Sequence, residues 1–152
     1  MSTATKSVDV HVPITTAYNQ WTQFEEFPKF MDDVETVRQL DDRHLHWTVK
    51  IAGVEREFDA EITEQHPDER IAWRSTTGVD QAGVVTFHKL DPETTRVTLQ
   101  LDMEPEGMAE TAAAKTGLVS MAAARDMANF KEFIEARGLS SGAWRGDVPR
   151  EG

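Results

Sequence analysis

A series of short segments in which apolar and polar residues alternate limits the fold of this chain more than any other feature. The two-residue period is clear in residues 45–51 and returns in residues 54–63, 71–76, 84–88 and 96–103. Alternation of this kind is typical of strands that bury one face. The turns between the segments are too short for parallel crossovers, so they predict an antiparallel sheet with one apolar and one solvated face.

A stretch near the C-terminus can cover the apolar face of such a sheet. Residues 118–137 carry apolar side chains at spacings of three and four, which places them on one stripe of a helix. The stripe consists of Val119, Ala123, Met127, Phe130 and Ile134. Arg137 followed by Gly138 is a typical helix end, because glycine adopts the left-handed conformation that terminates a helix.

The segments before the sheet complete the predicted order of elements. Residues 8–12 alternate as a strand that Pro13 ends, residues 14–24 have helical spacing, and Pro28 separates them from a second short helix. Together with a strand at residues 34–40, the chain predicts an α+β fold: a curved, seven-stranded antiparallel sheet wrapped around a long C-terminal helix, with two short helices after the first strand. A cavity between the concave sheet and the helix is expected.

Composition restricts the function and the partners. With 16 basic and 27 acidic residues the formal net charge is −11, and the charges are not clustered, which disfavours nucleic-acid binding. The chain has no cysteine, no signal-peptide pattern and no apolar run of the ~18 residues that a membrane span needs. We therefore expect a cytoplasmic protein without membrane insertion. Residues 1–138 are expected to form one domain, and the Gly-, Ser- and Pro-rich residues 139–152 a mobile tail.

Several segments resemble one known family. They are VDVHVP at residues 8–13, FPKFM at 27–31, VEREFDAEITEQ at 54–65, PDERIAWRS at 67–75, GVVTF at 83–87 and FKEFIE at 130–135. These segments are similar to the polyketide cyclase/dehydrase and lipid-transport family, in the helix-grip superfamily that also contains START domains and the birch-pollen-allergen fold.

The resemblance implies a hydrophobic pocket between the curved sheet and the last helix. In the superfamily such pockets hold lipids, sterols, isoprenoid quinones and polyketides; some relatives cyclise polyketides, whereas others only bind or carry ligands. The first hypothesis is therefore binding of a small hydrophobic or aromatic ligand of polyketide, lipid or quinone type. The alternative is a polyketide aromatase or cyclase. A second alternative is an interaction or regulatory module that uses the acidic stripe Glu55, Glu57, Asp59 and Glu61 to recognise a basic partner.

Candidate ligand-binding residues come from the apolar face and the helix stripe: Trp47, Phe58, Trp73, Phe87, Leu99, Ala123, Met127 and Phe130. For the four aromatic residues of the sheet, ordinary core packing is the alternative, and one residue can serve both purposes. The alanine-rich start of the helix, residues 118–124, predicts that the pocket lies under that half if the alanines face inward. Filling the pocket by Ala123→Leu is then expected to abolish ligand uptake.

Arg56 is the main polar candidate, because it interrupts the apolar face of its strand. An inward guanidinium group can bind a carboxylate, phenolate or carbonyl oxygen and, in a cyclase, polarise a carbonyl. Alternatively, Arg56 extends to the pocket mouth or pairs with Glu26 or Asp32. Ser75 is a further candidate as an inward hydroxyl group.

The five histidines are expected to face solvent or lie in turns, so no histidine is predicted in the pocket. His44 and His46 share one strand face, but no third ligand is evident, and a solvated strand face is favoured over a metal site. The sequence thus predicts no metal and no cofactor, and it leaves the ligand's identity and the oligomeric state open.

Overall fold

The computed structural model describes residues 2–51, 53–78, 80–103 and 112–149. Strand β1 is followed by helix α1, a short 3-10 helix, six strands and helix α2. Their bounds are β1 Ser2–Val10, α1 Ile14–Trp21, the 3-10 helix Phe24–Lys29, β2 Val34–Gln39, β3 His44–Ile51, β4 Val54–His66, β5 Arg70–Ser75, β6 Gln81–Asp91, β7 Thr94–Met103 and α2 Ala112–Arg137.

All seven strands belong to one antiparallel sheet in the order β1-β7-β6-β5-β4-β3-β2. The strands β2 to β7 therefore form a continuous meander, and β1 adds to the sheet beside β7. Cross-strand partners share a face, as Trp47 opposite Phe58 and Ile71 opposite Val85 illustrate, and these side chains are buried beneath the helices. The predicted helix-grip architecture, with a long C-terminal helix on a curved sheet, is confirmed.

Two elements begin earlier than the sequence pattern indicates. β1 starts at Ser2 because each of residues 2–10 pairs with a residue of β7. This backbone hydrogen bonding extends β1 beyond the residues whose side chains alternate between apolar and polar. α2 starts at Ala112, since alanine has the highest helix propensity. Gly117 does not interrupt the helix; a side chain there would face open space. The sequence also allows an initial helical turn at residues 110–115, of which residues 110 and 111 lie outside the described residues.

An aromatic cluster fills the interior between α1, the 3-10 helix and the second half of α2. Trp21 lies 5.1 Å from Phe130 and 5.3 Å from Phe27, measured between ring centroids. Phe30 is 5.1 Å from Phe130, and all four side chains are at most 1% exposed. The edge-to-face and tilted arrangements are those that aromatic rings prefer.

The segment after α2 runs back over α1. Gly138, with φ of +70°, ends the helix as predicted, and its N–H donates to Ile134 O at 2.8 Å. Further along, Val148 forms a two-way backbone bridge with Gln65 on β4, at 2.8 and 2.9 Å. The guanidinium group of Arg145 lies 5.5 Å from the ring centroid of Tyr18. These contacts place residues 139–149 against the domain; the mobility of the tail stays a prediction.

Within the described ranges, no helix combines the length and the apolar character needed to cross a membrane.

Candidate functional site

A cavity of about 230 Å³ lies between the concave face of the sheet and the first half of α2. Sheet side chains form one wall and helix side chains the other, while Met31 and Asp33 contribute from the segment before β2. The sheet wall includes Val34, Trp47, Val49, Trp73, Gln81, Leu99, Leu101 and Met103, and the helix wall includes Leu118, Val119, Met121, Ala122, Arg125 and Asp126.

The volume of the cavity is sufficient for a ring-sized ligand. An apolar cavity of about 150 Å³ in another protein stays dry and binds benzene. The present cavity, at about 230 Å³, is larger and is lined mainly by apolar side chains, so it can hold a compound of one or two rings or the end of a longer apolar chain.

Asp126 is the unusual group of this cavity wall. The residue is only 9% exposed, and its Oδ1 atom is buried without a hydrogen-bond partner among the described residues. The nearest cation, Arg125 Nε, is 3.8 Å from Oδ1, which is too far for a hydrogen bond. An unsatisfied buried polar group costs about 1–3 kcal/mol, so a carboxyl oxygen without a partner is an unusual feature for a residue that lines an apolar cavity.

Burial raises the pKa of Asp126 from its ordinary value of 3.8 to about 7. The attraction of Arg125 and a hydrogen bond from the backbone of Asp32 oppose this effect, whereas the negative charges of Asp33 and Asp32 add to it. Near neutral pH the carboxyl group of Asp126 is therefore present both protonated, as a hydrogen-bond donor, and ionised.

Arg125 links α2 to the segment before β2 at the edge of the cavity. Its Nε atom is 3.2 Å from Asp32 Oδ2, and its Nη2 atom is 3.0 Å from Asp33 Oδ2. Asn129 adds a hydrogen bond from Nδ2 to the carbonyl oxygen of Phe30 at 3.2 Å. Because the guanidinium group of Arg125 pairs with two outer carboxylates, its positive charge is largely neutralised at the edge of the cavity.

Trp73 is held in the sheet wall by its neighbours on β6. Its Nε1 donates to Gln81 Oε1 at 3.4 Å, and Gln81 N donates to Ser75 Oγ at 3.0 Å. Gly83 lies opposite Trp73, and a Cβ atom at that position would approach the indole ring to 2.4 Å. A residue without a side chain is therefore required for the indole to lie flat against β6.

Of the residues predicted from sequence to bind ligand, three line the cavity: Trp47, Trp73 and Leu99. Five others are buried in the core outside its lining, namely Phe58, Phe87, Ala123, Met127 and Phe130. Ala122, not Ala123, faces the cavity. Ser75 accepts the backbone hydrogen bond of Gln81 and is likewise not part of the lining.

Arg56 lies on the concave face opposite Val49, as its strand position predicts, but it is half-buried and outside the cavity lining. The two carboxylates considered as its partners contact other cations: Glu26 pairs with Lys29 at 2.8 Å, and Asp32 pairs with Arg125. Arg56 is thus the cross-strand neighbour of Val49, which lines the cavity, but it does not itself belong to the lining.

Sequence reasoning missed Asp126, Arg125 and Gln81. A signal for Asp126 was present, because it lies seven residues after Val119 and four before Phe130 and so falls on the apolar stripe of α2. A carboxylate at a stripe position indicates either a buried partner or a functional group. For Gln81, the glycine-bounded loop hid the fact that β6 begins there.

The histidines lie elsewhere, and none belongs to the described lining of the cavity. On the outer face, His46 Nδ1 is 2.7 Å from Asp59 Oδ1 and its Nε2 is 3.1 Å from Glu57 Oε1. These two hydrogen bonds raise the pKa of His46.

An outer groove of about 400 Å³ on β4 to β7 is lined by polar and small side chains, including Arg70, Arg74 and Asp102. Its charged and open lining does not suit an apolar ligand.

A curved antiparallel sheet gripping one long helix, with a cavity between them, defines a START-like helix-grip protein. Two solved structures have this fold: a START superfamily protein from Mycobacterium smegmatis (18% identity, 90% of this chain and 97% of that chain, TM-score 0.72) and the Zhui aromatase/cyclase from a Streptomyces species (18% identity, 93% and 98% of the two chains, TM-score 0.71). The chain belongs to the polyketide cyclase / dehydrase and lipid transport family, whose model matches residues 10–132.

A closely similar sequence comes from Streptomyces lincolnensis. It is an uncharacterized 17.2 kDa protein, 52% identical over 149 residues, which are 97% of this chain and 99% of that protein. The resemblance to the family predicted from the sequence segments is thus confirmed.

Proposed function

We propose that this protein binds a small hydrophobic or aromatic ligand in the cavity between the curved sheet and α2. The observation that carries the proposal is the cavity itself: a space of about 230 Å³ walled by indole, aliphatic and thioether side chains. A site of this composition binds through burial of apolar surface, at roughly 25 cal/mol per Å². Membership in a family described by lipid transport as well as cyclisation supports the same function.

Analysis of the purified protein tests the proposal. Native mass spectrometry is expected to show a mass above that of the chain, and solvent extraction is expected to release a small apolar compound. For protein without co-purified ligand, calorimetric titration with naphthalene is expected to give one saturable site. Absence of both a co-purified compound and any naphthalene binding would contradict the proposal.

A matched pair of variants locates the site. Ala122 lines the cavity, whereas Ala124, on the same helix, is exposed. We expect Ala122→Phe to fill the cavity and abolish naphthalene binding, and Ala124→Phe to bind as the wild type does. Equal binding by the two variants would move the ligand to another place.

Catalysis of a cyclisation or dehydration in the same cavity is the second candidate, and Asp126 is the observation that favours it. A carboxyl group with a pKa of about 7 suits general acid–base catalysis, because it can both give and take a proton at neutral pH. Arg56 is a weaker candidate for the catalytic group, since it is not in the cavity lining.

An assay with poly-β-ketone thioesters distinguishes the two candidates. If the protein is an enzyme, Asp126→Asn is expected to abolish turnover at unchanged folding, and Arg56→Ala to retain it. No turnover with any chain length would leave binding as the function.

Recognition of a basic partner by the acidic outer face has less support. Glu57 and Asp59 both contact His46, so part of the negative stripe is already paired within the sheet. Charge reversal of these two residues is expected to leave ligand binding unchanged.

A further inference from the structure

Two residues on opposite walls of the cavity each carry a buried polar atom without a hydrogen-bond partner. Asp126 Oδ1 belongs to the helix wall, and Trp47 Nε1 belongs to the sheet wall; neither has a hydrogen-bond partner among the described residues. Trp47 is 1% exposed, so its indole N–H is also withdrawn from solvent. The two groups differ in the hydrogen bonds that they can form. An indole N–H only donates, whereas a carboxyl group donates when protonated and only accepts when ionised.

The charges around Asp126 restrict what can bind beside it. Asp32 and Asp33 face it from the segment before β2, and Arg125 faces it from α2. Arg125 is paired with both of these outer carboxylates. Even when Asp126 is neutral, two carboxylates oppose one guanidinium group, so an anionic head group entering the cavity meets net negative charge. Because the side chains of Asp32 and Asp33 are 59% and 48% exposed, solvent screens part of this repulsion.

A cationic head group also fits poorly. An ammonium group would require an ionised Asp126, and bringing both ions into the apolar cavity has a large desolvation cost. It would leave the N–H of Trp47 without an acceptor, because an ammonium group only donates. An uncharged acceptor oxygen satisfies either unpaired group without bringing a charge into the cavity.

We propose that, within the ligand-binding function proposed above, the cavity selects uncharged ring compounds that carry a carbonyl-type oxygen. Asp126 in its protonated form donates a hydrogen bond to this oxygen. The carboxylates of Asp32 and Asp33 disfavour ligands that carry a carboxylate in place of the carbonyl group. Trp47 Nε1 is a second donor for the same class of ligand. The cavity thereby distinguishes ketones, aldehydes and quinone-like rings from fatty acids and aromatic acids.

Binding of such a ligand depends on pH with a defined sign. Because burial raises the pKa of Asp126 to about 7, the protonated, donating form predominates at pH 6 and is the minority at pH 8. If the donating form binds the ketone about tenfold tighter and the ionised form binds it as it binds ethylnaphthalene, the ketone is expected to bind about fivefold more weakly at pH 8 than at pH 6. Ligands that make no hydrogen bond are expected to bind equally at both values.

Calorimetry with four naphthalene derivatives of similar size tests the proposal: methyl naphthyl ketone, ethylnaphthalene, naphthoate and naphthylmethylamine. At pH 6 the ketone is expected to bind about tenfold tighter than ethylnaphthalene, which is the ratio that one net hydrogen bond gives. Naphthoate and naphthylmethylamine are expected to bind more weakly than ethylnaphthalene. Equal affinity for ketone and ethylnaphthalene, or tighter binding of either ion, would overturn the selectivity.

Two substitutions assign the effect to the named groups. Asp126→Asn keeps a donor of similar size but cannot ionise, so the ketone preference is expected to remain while its pH dependence disappears. Trp47→Phe removes the indole N–H and is expected to reduce the ketone preference, measured as the ratio of ketone affinity to ethylnaphthalene affinity in the same variant. Glu132→Gln, on the exposed side of α2, is the matched control and is expected to behave as the wild type does.

The outcomes separate this inference from the binding function on which it rests. Binding of ethylnaphthalene without a ketone preference supports a hydrophobic site and overturns the selectivity alone. No binding of any of the four compounds overturns both. The pH series on the wild-type protein does not depend on whether a variant folds: a pH-independent ketone affinity would overturn the role of Asp126.

Discussion

The two ends of the interior beneath α2 are filled in opposite ways. Under residues 126–134 the space is closed by aromatic rings, with Phe130 in contact with Trp21 and Phe30 at centroid distances of 5.1 Å. Under residues 118–126 the helix contributes smaller side chains and one carboxyl group, and a cavity of about 230 Å³ remains. One helix face thus stabilises the fold at one end and leaves a binding space at the other.

This difference suggests that the two halves of α2 contribute to different properties, one to stability and the other to ligand binding. Removing atoms from a close-packed interior loses many van der Waals contacts. Side chains that border a cavity make fewer such contacts, so their truncation loses less. Substitutions at the packed end are therefore expected to change mainly stability, and substitutions at the cavity end mainly binding.

Phe130→Ala is expected to have the largest effect on stability. Truncating a buried phenylalanine in a packed core costs about 3–5 kcal/mol, measured as the free energy of unfolding in urea. At the cavity end, Val119→Ala removes about two methylene equivalents at ~0.8 kcal/mol each and is expected to cost about 1.5 kcal/mol. A similar loss for the two variants would contradict the proposed difference between the two ends.

Asp126→Asn is expected to stabilise the protein at alkaline pH. The pKa of this carboxyl group is raised from 3.8 to about 7, so ionisation opposes folding: the cost is absent below pH 4, grows between pH 4 and 7, and is complete above 7. The difference between the two pKa values corresponds to at most about 4 kcal/mol.

The measurement is the difference in unfolding free energy between wild type and variant at pH 4 and pH 8. Taking the difference removes the contribution of other carboxylates, such as Asp59 and Glu135, whose pKa values are lowered in the folded state. A difference that stays constant with pH would indicate that Asp126 is not buried at the cavity wall.

Gly83→Ala is expected to reduce the size of the cavity from the sheet side. The new methyl group would meet the indole of Trp73, which must then shift into the cavity, at a cost of about 1–3 kcal/mol for overpacking. Weaker naphthalene binding and a changed tryptophan emission spectrum are the expected observations.

Gly117→Ala is the matched control for that substitution. Its new side chain meets no atom within 4 Å, and alanine is preferred over glycine in a helix by roughly 1 kcal/mol. We expect this variant to be more stable than the wild type. If both glycine variants were stabilised, the contact between Gly83 and Trp73 would not be restrictive.

The smallest effect is expected at the segment that covers α1. His66 contacts Asp147 of the tail and Glu64 of β4, and these carboxylates raise the pKa of His66 above 6.5. Its stabilisation of the docked tail is therefore complete below pH 6.5 and is lost as pH rises through the raised value. Because these groups are partly exposed, the effect is less than about 1 kcal/mol.

Hydrogen exchange of residues 140–149 measures this effect. Wild-type protein is expected to exchange more slowly at pH 6 than at pH 8 after correction for the intrinsic rates, and His66→Gln to lose that difference. Identical protection in the two proteins at pH 6 would exclude His66 as a pH-dependent contact of the tail.

The sequence by itself determined the architecture of this protein. A two-residue period in successive segments with short turns permits only an antiparallel meander, and the stripe from Val119 to Ile134 requires burial against it. The end of α2 at Gly138 also followed from local chemistry, because glycine readily adopts positive φ. These features depend on residues that are close to one another in the sequence, so they can be predicted from the sequence directly.

Only the tertiary structure decided where the interior stays open and which groups face it. Ala122 and Ala123 are adjacent in sequence, yet one lines the cavity and the other is packed in the core. The burial of Asp126, and with it the pKa of its carboxyl group, depends on how α2 lies over the sheet and on Asp32 and Asp33, more than ninety positions earlier in the chain. Desolvation and long-range charge are properties of the packed molecule, so a one-dimensional pattern does not specify them.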